Sequence, residues 1–239
     1  MLVALLGAAA CAAPATSQQG DIAPGARLAD VEILDDARDH VGPSTAAVVD
    51  SAISPILEAP EPQLPVTVTD AQGTEVTVTD ASRILALDIY GTTARTVFEL
   101  GLGENLVGRD ASSSFPEVVD LPLVTANGHE LNAESILALD PTVIITDTSL
   151  GPWDVVLQMR EAGIPVIVIE SGRALETSGD LIRDVADALG VSEAGELLAE
   201  RTDAEIAAIT DEIAQIAPQG EDKLKIAFLY VRGASGIYY

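Results

Sequence analysis

The sequence has a single cysteine, Cys11, so no disulfide can form within the chain and a cysteine-based zinc cluster is excluded. Aromatic residues are scarce at 3% against 48% apolar residues overall, so a core has to be built from Ala, Val, Leu and Ile. Cations are scarce too: 12 Lys and Arg stand against 38 Asp and Glu, a formal net charge of −26 spread along the chain. That balance argues against a nucleic-acid partner, because phosphate binding needs clustered Lys and Arg. It reads instead as a solvated surface that keeps the protein in solution. A nucleophile elbow, a phosphate-binding loop and paired catalytic carboxylates are all missing, so the chain does not read as an enzyme.

What is present begins with an apolar run, LVALLGAAA at residues 2–10, directly before Cys11. Nine residues are too few to span a bilayer, which takes about 20 in a helix. Small residues before a cysteine look like the end of a secretory signal with a lipoprotein processing site, which makes Cys11 the candidate lipid attachment. No Lys or Arg precedes the run, as though the start had been set late. Such a chain is anchored to the outer face of the membrane rather than spanning it. Residues 12–64, with Pro43, Pro55, Pro60 and Pro62, read as a disordered tether, and His40 lies there among acidic neighbours.

Order is expected from Pro65. Val66-Thr67-Val68-Thr69 and Glu75-Val76-Thr77-Val78-Thr79 alternate β-branched residues across Asp70-Ala71-Gln72-Gly73, the pattern of a hairpin. RILALD (83–88) and IPVIVI (164–169) read as buried strands, residues 92–100 as an amphipathic helix closed by Gly101, residues 105–108 as a short strand, and 154–162 and 175–189 as further helices. Gly101-Leu102-Gly103 has no third glycine and follows a helix, so it reads as a helix end rather than a dinucleotide loop. Strands alternating with helices call for an α/β fold: an open, mostly parallel sheet with helices on both faces over residues 65–191. Residues 192–217 carry Leu198, Ile206, Ile209, Ile213 and Ile216 at helical spacing without a proline, a rod of roughly 39 Å. Residues 218–239 then start a new strand, KLKIAFLY, and read as the beginning of a second, C-terminal lobe that is cut short.

The middle of this lobe is organised by residues 124–147, VTANGHELNAESILALDPTVIITD. Asn127-Gly128 favours a tight turn with positive φ and places His129 at its tip. Asn132 is a candidate N-cap for a helix to about Leu139, with Ile136, Leu137 and Leu139 on its buried side. The β-branched run 142–146 suits a strand covered on both faces. His129 is thus held by a rigid unit yet outside it, where loops meet ligands.

The hairpin VTVTDAQGTEVTVT, the strand RILALD, the helix ending ELGLGENLVGRD, the run ELNAESILALDPTVII, the strand IPVIVIE and one long helix together resemble the helical-backbone class of substrate-binding proteins. These are periplasmic or lipid-anchored receptors that deliver iron chelates, cobalamin and haem to ABC importers. The resemblance covers residues 65–239 and implies two α/β lobes joined by one rigid helix, with ligand in the cleft between them. Within the class, a histidine before the ESILALDPTVII helix and Tyr-x-Arg after the long helix resemble the haem receptors of the HmuT type. The resemblance implies that His129 and Tyr230 ligate haem iron from opposite faces, with Arg232 bonded to Tyr230, and that an importer permease and ATPase are the partners.

Ferric porphyrin leaves two axial positions that imidazole and phenolate fill. A phenol, with a pKa near 10, needs help to bind as phenolate, and a guanidinium two residues along a strand lies on the same face. Taken alone, His129 also reads as a solvated side chain and Tyr230 as a cleft wall, and Tyr238 and Tyr239 compete as ligands. Tyr90 reads as a cleft residue or a packed wall, and Arg109 as a surface ion pair or a propionate contact. A ferric-siderophore or cobalamin receptor, or a structural surface lipoprotein without a small ligand, are the alternatives.

Overall fold

The computed structural model describes Asp36, residues 40–42 and 52–217, Ala227, and the backbone of Tyr230–Val231 and Ile237–Tyr238. Cys11 and Arg232 lie outside the described residues. His40 is exposed, with its Nε2 3.1 Å from the carbonyl oxygen of Gly42.

In chain order the elements are β1 (Val66–Thr69) and β2 (Glu75–Val78), β3 (Ile84–Leu87), α1 (Thr92–Val97), β4 (Thr125–Ala126) and β5 (Glu130–Leu131), α2 (Ala133–Ala138) and β6 (Val143–Thr146). There follow α3 (Trp153–Glu161), β7 (Val166–Val168), α4 (Ser178–Ala188), α5 (Ser192–Ile216), β8 (Tyr230–Val231) and β9 (Ile237–Tyr238). The first two strands form the expected antiparallel hairpin, with Gly73 at φ 77° in its turn.

Strands β3, β6 and β7 form a parallel sheet in that order, with Ile84 beside Val143 and Ile144 beside Val166. Every residue of these three strands is buried, as continuous β-branched and leucine runs require when both faces are covered. Successive side chains point to opposite faces, and the core divides accordingly. Ile84, Ala86, Val143, Ile145 and Ile167 pack with Val97, Ile182, Val185 and Leu198 of α1, α4 and α5. Leu85, Leu87, Ile144 and Val166 pack with Ile136, Val155, Val156 and Met159 of α2 and α3. The fold is therefore the α/β lobe expected from the alternation of elements, with helices on both faces of the sheet.

Several boundaries differ from expectation, for local reasons. The helix that starts at Thr92 is regular only to Val97; Phe98–Leu102 widens into a π-turn that breaks at Gly101, φ 91°. A side chain there would strike the carbonyl of Leu57, so the helix end is shaped by the segment lying across it. Residues 105–108 do not pair as a strand: Gly103–Asn105 is a 3-10 turn, and Leu106 makes only a single bridge to Ile84. In α2, Ile136 is buried but Leu137 is 40% exposed.

The tether expected over residues 12–64 gives way to packed chain by Ala52. Ile53 is buried, the Ile56 N–H donates to Glu99 O at 2.7 Å, and the Gln63 N–H donates to Gly190 O at 2.8 Å. Ile56, Leu57 and Leu64 lie against the core that α4 and α5 share. A proline-rich composition marked this stretch as unstructured, but its few apolar residues pack on the lobe through a chain that bends at residues 56–59.

Helix α5 is 25 residues long, close to the rod read from the sequence. Its first turns are buried at Ala194, Gly195, Leu198 and Ala199, and a side chain at Gly195 would collide with Ala186 of α4. Farther along, Ile209, Ile213 and Ile216 are exposed. Among the described residues no helix is long and apolar enough to cross a membrane. Strands β8 and β9 pair antiparallel, with Tyr230 opposite Tyr238.

Candidate functional site

In an open parallel sheet, ligands are met beyond the carboxyl ends of the strands. There the chain places an aspartate directly after β3, Asp88, and another directly after β6, Asp147; both are fully buried. Arg173, four residues beyond Ile169, reaches between them. Its Nη2 lies 3.1 Å from Asp88 Oδ2 and 2.9 Å from Asp147 Oδ2. Nε donates to Thr92 Oγ1, and Nη1 to the carbonyls of Glu170 and Gly172. All five guanidinium N–H groups thus have acceptors. Arg173 ties together the ends of all three parallel strands and offers no spare donor to a ligand.

Asp88 also organises the loop after β3. Its carboxylate accepts from the N–H groups of Tyr90, Gly91, Thr92 and Thr93 and from the hydroxyls of Thr92 and Thr93. Burial works against its ionisation, but the bonds from Thr92, Thr93 and Arg173 outweigh that cost and hold the carboxyl below its ordinary value. Asp110 shows the opposite balance. Burial, together with the charge of Asp88, raises it despite bonds from the Ser113 and Asp88 N–H groups.

Because the folded pKa of Asp88 is depressed, its contribution to stability is present above the unfolded carboxylate pKa of about 3.9 and is lost as pH falls through the lower folded value. Asp88→Asn, which turns an amide donor toward these donors, is therefore expected to be destabilised by about 2–4 kcal/mol at pH 7. The gap from the parent should narrow below about pH 4. Urea unfolding of both proteins at pH 7 and pH 3 checks this, and a gap independent of pH would contradict it.

His129 sits where the sequence put it. Strands β4 and β5 are a two-residue hairpin whose turn carries Asn127 at φ 50° and Gly128 at φ 93°, with His129 exposed beside them. Asn132 caps α2 by accepting from the Ser135 N–H at 2.9 Å, as expected. The hairpin is tied to the same rim as Asp88 and Asp147. The Gly151 N–H donates to the His129 carbonyl at 3.3 Å, and the Leu131 N–H to the Gly151 carbonyl at 2.6 Å. On the other side of the hairpin, the Ala111 N–H donates to Thr125 Oγ1. Ser149 Oγ accepts from the Ile89 N–H, and Ser112 Oγ donates to the Ile89 carbonyl. The loops after β3 and β6 and the loop 110–113 therefore form one bonded rim that carries the imidazole.

Among the described residues Arg109 has no ion pair. Its guanidinium donates to the carbonyls of Val119, Asp110 and Ser113 and so braces its own loop. Tyr90 is not a packed wall: it is 53% exposed, and its ring lies over Arg173, with Cζ 5.2 Å from the ring centroid. A cleft of about 390 Å³ along 170–184 includes Glu170, Asp180 and Asp184. Burial and the charges of Asp180, Asp187 and Glu170 push the Asp184 carboxyl up, and Arg173 lines the same cleft. Of the other expected site residues, Tyr230 lies on β8, described by its backbone alone.

The Asp88, Asp147 and Arg173 network was not singled out from the sequence. Its signal was available: two strand runs, LALD and IITD, each end on an aspartate, and an arginine follows the third, IVIESGR. Repeated acids at strand ends beside one later cation mark a buried cluster at the ligand edge of a sheet.

An α/β lobe with a polar rim beyond its parallel strands suits ligand binding, and the chain belongs to the periplasmic binding protein family, whose model matches residues 89–239. Among solved structures it is similar to a point variant of the haem-binding protein HmuT, with 42% identity and a TM-score of 0.81 over 87% of this chain and 64% of that one. HmuT itself shares 45% identity with a TM-score of 0.74, over 79% of this chain and 61% of that one. The periplasmic haem-binding protein RhuT from Roseiflexus sp. RS-1, in its apo form, shares 35% identity with a TM-score of 0.55, over 66% of this chain and 58% of that one. The chain spans less than two thirds of the length of each of these structures. No curated protein matches it.

Proposed function

We propose that the protein captures haem outside the cytoplasm and delivers it to an ABC importer, without catalysing a reaction. His129 and Tyr230 hold the iron as axial ligands, and Arg232 favours the phenolate of Tyr230. The permease and ATPase of the importer are the partners, and Cys11 carries the lipid that keeps the protein at the membrane.

The observation that carries this reading is an imidazole presented to solvent on a braced hairpin, at the ligand edge of a lobe that resembles those of haem-binding proteins. The chemistry agrees. Imidazole and phenolate are established haem ligands, and phenolate favours ferric iron, the form met outside a cell. The solved structures of HmuT include alanine variants at one histidine, one tyrosine and one arginine, the last two being two residues apart, the spacing of Tyr230 and Arg232 here. On a strand that spacing puts both side chains on one face, where a guanidinium lowers a phenol's pKa.

The sole tryptophan supplies the test. Trp153 starts α3, two residues after the Gly151 that bonds His129. Hemin added to the protein is expected to quench Trp153 fluorescence saturably at one equivalent, whereas cobalamin and a ferric siderophore at the same concentration compete poorly. Displacement of hemin by either of those ligands would overturn the assignment of haem as cargo.

A further inference from the structure

Tyr90 is a large aromatic side chain left half in solvent on a backbone that cannot move. Its N–H donates to Asp88 Oδ1 at 2.9 Å, and Ile89 before it is held at both N–H and carbonyl by Ser149 and Ser112. Gly91 after it has φ 74°, and a side chain there would come within 2.8 Å of the Ser112 carbonyl. The loop is therefore fixed in front and behind while the ring between is 53% exposed.

The ring has one partner of note. Arg173 lies 5.2 Å from its centroid, and all five donors of that guanidinium are already used on Thr92, Asp88, Asp147 and two carbonyls. Arg173 cannot reach out to a ligand's carboxylate, so what remains for it at the surface is the ring face, which a cation attracts. A fixed aromatic side chain, held on one face and open elsewhere, loses little conformational freedom on binding and favours a flat, conjugated partner.

The geometry points to Tyr90 as a second contact with the ligand: a stacking platform for the porphyrin plane, separate from the axial ligands. This rests on the haem reading above. Its place supports it, because Ser149 and Ser112, which hold the Tyr90 loop, belong to the two loops bonded to the His129 hairpin through Gly151 and Ala111. A platform acts on the macrocycle and not on the metal, so it serves an iron-free porphyrin equally.

Hemin and iron-free protoporphyrin IX, titrated against the full 239-residue chain and its Tyr90→Ala and Tyr90→Phe variants, separate the possibilities. Tyr90→Ala is expected to weaken both porphyrins by about tenfold, the worth of one good aromatic pair, while Tyr90→Phe keeps both affinities. The Soret position of bound hemin stays the same in all three proteins. If hemin binds the parent chain with its ligand-dependent Soret shift and Tyr90→Ala leaves both affinities unchanged, the platform is wrong and the haem reading stands. A moved Soret band in Tyr90→Phe makes Tyr90 an iron ligand and also overturns the platform. If the parent chain binds neither porphyrin, both readings fall together.

Discussion

Arg173→Ala is expected to cost about 3–5 kcal/mol of folding stability, the largest single loss for a side chain outside the apolar core. The guanidinium is the counterion of two carboxylates that are fully buried, Asp88 and Asp147, and is itself mostly covered. Removing it leaves both acids facing each other's charge in a site that water reaches poorly, and one of them must then protonate or the rim must open. Asp147→Asn in the Arg173→Ala background should recover part of the loss, because the residues act as one network and their effects do not add. Arg173→Lys should rescue little, since an ammonium has three donors against the five that are used. Urea unfolding at pH 7 measures all three variants; a loss below about 1 kcal/mol for Arg173→Ala would show that the cluster is solvated and that the strand ends are held by something else.

His129→Ala and Tyr230→Phe are each expected to lower hemin affinity by roughly 100-fold or more. Groups that only orient a metal ligand cost about 10–100-fold when removed, and loss of the ligand itself is at least as damaging. His129→Ala should alter stability little. His129 is exposed in a turn, with its carbonyl, not its ring, bonded to Gly151, and alanine preserves that bond. Hemin titrations with a parallel unfolding curve separate the two effects. A loss of affinity that tracked a loss of stability would place these residues in the scaffold and not in the site.

Much of this was legible in the residues because period and turn chemistry agree. The continuous β-branched runs at 143–146 and 166–168 announced strands buried on both faces, and Asn127-Gly128 and Asn132 announced the turn and cap that present His129. What was not legible depended on contacts distant in sequence. Residues 52–64 looked unstructured by composition and pack on the lobe through Ile56, Leu57 and Leu64. Arg109 looked available as a surface cation, and its Nε and Nη1 donate to the carbonyls of its own loop. The aspartates that end the strand runs LALD and IITD were visible, but nothing local to Arg173 showed that it joins Asp88, 85 residues earlier, to Asp147, 26 residues earlier. Tyr90, ambiguous as wall or cleft, became informative only once its exposure and its cation were known.

The central claim is that one imidazole and one phenolate hold the same iron. Electron paramagnetic resonance of the ferric hemin complex tests it most directly, recorded for the parent chain, His129→Ala and Tyr230→Phe. The account predicts one six-coordinate signal in the parent and a different, altered spectrum in each variant, because each removes a different axial ligand. An unchanged spectrum in either variant would contradict it.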